Sequence, residues 1–496
     1  MTAIIGVDVG TTHVKAGVFD AAGRTLHIAR RSTVTHQDEQ GLFYYDPDEI
    51  FATILALLDE LFAHAPGVAP ATIGIASMAE TGLLFDVKTD KACSPFVPWF
   101  DSRSSSQAAF VEAEADVFEL FARTGLRPNA KYGLCKILWL QAHMGSIPEG
   151  AVWLSMADYV MYRLTGVLAT DYTLAARTHA FRIDDLSWDA EWLRHFGLRQ
   201  SLFPDVLPSG RPVGQLQSAF VQRFGCKSQP SVCVSGHDHL CGTLGAGLFA
   251  PGDVLDSMGT AETLLGTFAA RRLTRKDYES GLVFGLHVIP KQMFWLGSVP
   301  ASGGSVEWFR QQFAEPALSY EALLQYVQEA GDEPTGMLYF PYLAGAGAPK
   351  LDDRVTGALL GLTQAHKRGH VLKAVLEGAA YEVESIRRCA MSVLEDTIRE
   401  ITISGGGSQN RHWLQIKADV MGCTLRVSDT VEATLLGAAL LAGVGCGLYS
   451  SLAEVAAGFS GQAQTHVSFH PLRHTAYQQI FTERYLPLQK VLHSYA

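Results

Sequence analysis

Asp8 closes an apolar run and stands two residues before Gly10-Thr11-Thr12. A carboxylate beside such a turn can hold Mg2+, usually through waters, while the turn's N–H groups and hydroxyls take phosphate oxygens. The same residues suit an ordinary hairpin with a capping aspartate. Asp238 ends a second apolar run, within SGHDHLCG. Phosphoryl transfer needs a carboxylate near the acceptor hydroxyl to take its proton, and a metal to balance phosphate charge. A loop aspartate capping the following helix has the same local sequence. His237 and His239 flank Asp238 with HxH spacing. No third metal ligand is evident, so contact with a substrate or support of Asp238 is expected of them. A third segment, EITISG then GGSQN then RHWLQIKADVMG, reads as strand, glycine loop and helix. Glycines let backbone approach a phosphate, and a helix N-terminus favours its charge.

These groups need rigid elements behind them. Residues 4–20 read as two strands around the Gly-Thr-Thr turn, followed by the turn AAG and an extended TLHIARRSTV. A helix is predicted from Asp46, with Asp46 as N-cap, Pro47 in the first position and Glu49 at capping-box spacing. Ile50, Ile54, Leu57, Leu58 and Leu61 form its apolar stripe. A strand is predicted over 71–77, and a helix over 370–388. GDVLDSMGTAETLLGTF at 252–268 repeats the opening pattern, with Gly259-Thr260 in place of Gly10-Thr11. An echo of this kind predicts two related domains, 1–245 and 246–496, facing each other across a cleft.

Composition limits the partners. The chain has 496 residues, 48% apolar and 18% charged, with a formal charge of −11. That suits well-filled cores and gives no general attraction for nucleic acid or anionic lipid. Eight scattered cysteines form no CxxC pair, so neither a zinc ribbon nor a disulfide framework is expected. The N-terminus does not read as a signal peptide. ATLLGAALLAGVGCGLY at 433–449 is shorter than the roughly 20 residues a membrane span needs and carries four glycines. It reads as a buried helix packed close to other backbone. A cytoplasmic location is the expectation, and a homodimer is left open.

In combination these segments resemble the FGGY carbohydrate kinases over nearly the whole chain. GALLGLTQAHKRGHVLKAVLE at 357–377 resembles the family's C-terminal signature through Gly357, Leu359, Gly361, Leu362, His370, Val371, Ala374 and Glu377. ISGGGSQNRHWLQIKAD at 403–419 is similar to its adenosine-binding loop and helix, and EATLLGAALLAG is also typical. KYGLCKILWLQAH at 131–143 keeps the family's K-x-x-W core in Lys136 and Trp139, while Lys131 and Ala142 depart from its pattern. The resemblance implies two ribonuclease H-like, actin-like ATPase domains. It also implies transfer of the γ-phosphoryl of ATP, with Mg2+, to a hydroxyl of a small sugar.

Roles follow position by position. Asp8, Thr11 and Thr12 match the first phosphate and Mg2+ loop, and Gly259 and Thr260 the second. Gly303 or Gly304 matches a glycine near the nucleotide, and Gly406 and Asn410 the adenosine site. Asp238 matches the catalytic base and a second metal ligand. For the sugar, IGIASMAETGLLFD is similar in register to a glycerol kinase segment that supplies an Arg-Glu pair. Glu80 keeps the acid and Ala79 replaces the arginine. PWFDSR resembles W-x-D-x-R, offering Trp99 and Asp101. The pocket candidates are then Met78, Glu80, Trp99, Asp101, Lys131 and Asp238. Ala79 would leave a hole that a longer substrate than glycerol fills, so a ketopentose such as xylulose or ribulose is expected. Three carboxylates disfavour an aldonate unless Lys131 points inward. The alternatives are a kinase of glycerol, a tetritol or gluconate, or, outside enzymes, a sugar-binding regulator or actin-like nucleotide switch. ATP turnover raised by added sugar separates these classes.

Overall fold

The computed structural model describes the chain apart from residues 66, 431, 460–464 and 496 and the side chain of residue 459. Two β-sheets organise it. In the first, strands β1 (Thr2–Val9) and β2 (His13–Asp20) form the opening hairpin, and β3 (Thr25–Ser32) extends it. Gly10 N–H donates to His13 O at 3.1 Å across the turn. Helix α1 (Pro47–His64) begins where expected, with Asp46 accepting from the N–H groups of Asp48 and Glu49. The predicted capping box does not close: Glu49 instead lies 2.7 Å from His36 Nε2. The apolar stripe from Ile50 to Leu61 is buried.

Next come β4 (Ala69–Ser77), α2 (Gly133–Met144), the short α3 (Tyr172–Ala176), β5 (Gly214–Gln215), β6 (Ser231–His237) and α4 (Asp238–Gly245). The sheet order is β5-β6-β4-β1-β2-β3, with β1, β4 and β6 parallel. Their near-continuous apolar runs fit strands covered on both faces. Asp8 and His237-Asp238 thus sit at the same, C-terminal, end of this sheet, where open α/β sheets place ligands.

The second half repeats the plan. The hairpin β7 (Val254–Met258) and β8 (Glu262–Ala269) turns at Gly259-Thr260, with Gly259 N–H donating to Ala261 O at 3.2 Å. Strands β9 (Val283–Leu286) and β10 (Gln292–Val299) follow, then helices α5 (Ser302–Gln312) and α6 (Arg368–Leu394). Strand β11 (Glu400–Ser404), helix α7 (Arg411–Met421), β12 (Thr424–Val427), helix α8 (Ala433–Gly445) and β13 (Thr465–Val467) complete it. The order is β9-β10-β8-β7-β11-β12-β13.

A buried ionic cluster fixes the second hairpin. Lys417 of α7 pairs with Asp256 of β7 at 2.6 Å and with Glu262 of β8, all three side chains fully buried. Glu262 also accepts from Ser302 Oγ at the start of α5. Gly303 N–H then donates to Gly259 O at 3.2 Å, and Gly304 N–H to Thr260 O at 2.9 Å.

Helix α8 lies in the second half of the sequence but packs on the first sheet. A Cβ built on Gly6 of β1 would meet Leu435 O at 2.1 Å, and one on Gly74 of β4 would meet Ala438 O at 2.3 Å. Against α4, a Cβ on Gly245 would stand 1.9 Å from Ala433 O, and one on Gly437 1.8 Å from Cys241 O. The glycines are what allow helix backbone to touch strand and helix backbone. The buried, close-packed helix expected at 433–449 is therefore what forms, over a shorter span. Among the described residues no helix is long and apolar enough to cross a membrane.

Candidate active site

Asp8 leaves the end of β1 buried, and its Oδ1 has no hydrogen-bond partner. Burial first, then the negative charge of Asp238, push its carboxyl up to about 8, against the opposing pull of Lys15. Both carboxylates stand at the C-terminal end of the first sheet, near enough for the charge of one to act on the other. An orphaned buried carboxylate oxygen beside a second carboxylate is a donor set that fits a hard divalent cation such as Mg2+. Asp238 opens α4, and its Oδ1 accepts from His239 N–H at 2.6 Å and lies 3.2 Å from His237 Nε2.

Burial drives the His237 imidazole down to about 4, so it is neutral near pH 7. His237 is thus a hydrogen-bond support for Asp238. The HxH pair gains Asp238 as a third nearby donor, with the rings perpendicular and 5.5 Å apart. The other cluster of this type among the described residues is His27, Glu60 and His64. There the rings stack 4.4 Å apart at 2°, so no one ion lies in both ring planes.

On the second half, a cavity of about 600 Å3 is lined by Met258, Gly259, Thr260, Gly303, Gly406 and Asn410, among others. The Gly259-Thr260 turn, Gly303 near the start of α5 and the loop before α7 thus line one cavity. Gly304 stands outside its lining and serves to dock α5 on Thr260. Asn410 caps α7, its Oδ1 accepting from Trp413 N–H at 3.1 Å, so only part of its amide remains for a ligand. Sequence reasoning missed the apolar wall of Val306, Tyr320, Leu323, Leu324 and Trp413. The i, i+3, i+4 spacing of Tyr320, Leu323 and Leu324 marked a helix face but not what it would cover.

The sugar candidates separate. Trp99 is 41% exposed, hence not core, and its Nε1 donates to Thr11 Oγ1 at 2.9 Å. Thr11 Oγ1 in turn donates to Met78 Sδ at 3.7 Å. The Thr11 hydroxyl is thereby turned toward Trp99 and Met78 rather than held for phosphate, while Thr12 stays exposed. Asp101 does not keep its expected place. Its Oδ1 accepts from Arg103 N–H and Nε at 2.9 and 2.7 Å, and its Oδ2 from Phe43 N–H and Arg103 Nη2 at 2.9 and 3.1 Å. Four donors occupy the four lone-pair sites of a carboxylate, so none is left for a sugar hydroxyl. Tyr132, next to Lys131, is buried, with Lys131 Nζ 5.3 Å from its ring centre.

Glu80 brings the largest correction. The arginine absent at position 79 is replaced by Arg177, immediately after α3, whose Nε donates to Glu80 Oε1 at 2.9 Å and whose Nη2 bonds the same oxygen. Burial alone would raise the Glu80 carboxyl. Arg177, then Lys131 and His237, outweigh it and hold it at about 2. The hole predicted from Ala79 is therefore not simply open. No local signal pointed to Arg177, which lies 97 residues from its partner.

Comparison with known proteins identifies the family and the fold. Models of the N-terminal and C-terminal domains of the FGGY family of carbohydrate kinases match residues 3–245 and 257–446. A xylulose kinase of Bacillus subtilis is 29% identical over 95% of this chain and 93% of its own length. A glycerol kinase of Thermus brockianus is 32% identical over 91% of each. The crystal structure of gluconate kinase from Lactobacillus acidophilus superposes with a TM-score of 0.91 at 21% identity, covering 100% of this chain and 99% of that one. That likeness shows the fold, two α/β domains of the actin-like ATPase type.

Proposed function

The chain belongs to the FGGY family of carbohydrate kinases, and from that footing we propose that it moves the γ-phosphoryl of ATP onto a hydroxyl of a ketopentose such as xylulose or ribulose. The observation that carries the chemistry is that Asp8 and Asp238 stand at the same end of the first sheet. In this reading the cavity beside Gly259, Gly303 and Gly406 takes adenosine. The Gly259-Thr260 turn holds phosphate oxygens, and so do the backbone N–H groups of Thr11 and Thr12. Asp8 and Asp238 hold Mg2+, which neutralises phosphate charge. Asp238, aimed by His237, takes the proton of the sugar hydroxyl as it attacks. Glu80 accepts from a second hydroxyl, and the indole of Trp99 faces the sugar's C–H side beside Met78. The first sheet, with α8 packed on it, and the second sheet act as the two jaws, in a protein placed in the cytoplasm.

Relatives of similar identity are named for xylulose and for glycerol, so the substrate rests on the pocket. An ionised Glu80 near His237, the neighbour of Asp238, favours a neutral polyhydroxyl compound over an acidic one. The aldonate reading stands second on one observation: the charge of Lys131 acts on Glu80. The test is kcat/KM for xylulose, ribulose, glycerol and gluconate under one condition, read by ADP release. A ketopentose is expected to lead. Glycerol or gluconate ahead of both ketopentoses by tenfold, about 1.4 kcal/mol in transition-state binding, overturns the substrate assignment.

A further inference from the structure

Glu80 is held in a backbone conformation that few side chains accept. Its φ is 62°, in the left-handed region, and it is neither glycine nor asparagine. Such conformations persist where the surroundings over-determine them, often where a ligand is gripped. Two buried basic side chains do so here. Lys136 of α2 is fully buried, and its Nζ donates to Glu80 O at 2.7 Å and to Val97 O at 3.1 Å. Arg177 holds the Glu80 carboxylate through Oε1 only. The Val97 carbonyl lies two residues before Trp99, and Trp99 N–H donates to Thr81 Oγ1 at 3.0 Å. One amino group thus ties the Glu80 turn to the segment that carries the indole.

We propose that Arg177 and Lys136 are positioning residues for the sugar: Arg177 fixes which Glu80 oxygen faces the substrate, and Lys136 sets the distance between Glu80 and Trp99. This rests on the reading that Glu80 and Trp99 touch the sugar. Neither side chain touches it. Arg177 and Glu80 act as one unit, so their losses do not add.

The test uses the full chain with xylulose or whichever sugar it turns over best. Arg177→Met and Lys136→Met are expected to lower kcat/KM for the sugar about 100-fold, the effect of a roughly 1 Å misplacement, while KM for ATP moves less than about twofold. Arg177→Lys, which keeps a cation and guards against a folding defect, recovers part of the loss. Arg177→Met combined with Glu80→Gln is no worse than Glu80→Gln alone. The groups facing Glu80 are Arg177, Lys131, Lys136 and His237. With Arg177 removed, burial raises the Glu80 carboxyl, so sugar kcat/KM gains an acid limb that the variant also carrying Glu80→Gln lacks. Additive losses, equal increases in KM for sugar and ATP, or an unchanged pH profile in Arg177→Met overturn the inference. Wild-type protein that phosphorylates no sugar strikes the proposed function beneath it. Wild-type turnover with unaffected variants strikes this inference alone.

Discussion

A buried carboxylate whose oxygen lacks a partner keeps its proton until a cation displaces it. Asp8, raised to about 8 by burial and by Asp238, is mostly protonated at pH 7. Mg2+ binding must then release that proton, so Mg2+ affinity strengthens as pH rises toward 8 and weakens below it. We expect the Mg2+ concentration for half-maximal sugar-dependent turnover to rise between pH 8 and pH 6, approaching tenfold per unit at the acid end. An identical Mg2+ titration at both values would remove Asp8 from the metal site. Asp238→Asn should lower kcat by at least ~10² with little change in nucleotide affinity, and near-normal turnover would sink its role as base. Asp8, Asp238 and Trp99 could be singled out as candidates because each sits in a short motif at a strand end or loop, whereas the turning of the Thr11 hydroxyl toward Trp99 and Met78 could not. Asp101 was misread although its answer lay two residues on: Asp101-x-Arg103 is spaced to pair with itself. Arg177 was illegible because only tertiary folding brings it to Glu80.

Elements matter here through how tightly they are joined. Lys417, Asp256 and Glu262 hold α7, β7 and β8 around the second turn with every charge out of water. Burial and the neighbouring Glu262 drive the Asp256 carboxyl well above its usual range, so the cluster depends on its single cation. Removing one partner of a buried ionic group leaves the others uncompensated, typically at a cost of about 3–5 kcal/mol. Lys417→Met is therefore expected to lower unfolding stability by that order in denaturant titration and to weaken ATP binding, because Gly259 and Gly303 lose their shared support. A loss below ~1 kcal/mol would show that the cluster is not needed to hold the turn. The strands and helices around this cluster were readable from apolar period and caps. The cluster was not, since Lys417 in a helix and two acids flanking a turn look like ordinary surface charge until the packing encloses them.

At the scale of the whole molecule, the proposed reaction divides between two sheets. Water competes with a sugar hydroxyl for the γ-phosphoryl, and closing the jaws excludes it. Small-angle scattering is expected to show a smaller radius of gyration with sugar plus a non-hydrolysable nucleotide than with neither. An unchanged radius would mean the site is already closed. The repeat of the opening hairpin at Gly259-Thr260 made the two-domain plan visible in the sequence, but not the path of α8.

That path sets an order of assembly. The chain leaves the ribosome from its N-terminus, and the first sheet is complete once His237 has emerged. One face of β1 and β4 nevertheless waits for Leu435 and Ala438, whose carbonyls close on Gly6 and Gly74. Until residue 445 is made, an apolar sheet face stays bare during synthesis, the kind of surface that draws chaperones or aggregates. A truncated 1–245 product is accordingly expected to be insoluble when made alone and to be rescued by co-expressing 246–496. A soluble, monomeric 1–245 with cooperative unfolding would show that the early half is finished without its late-arriving helix.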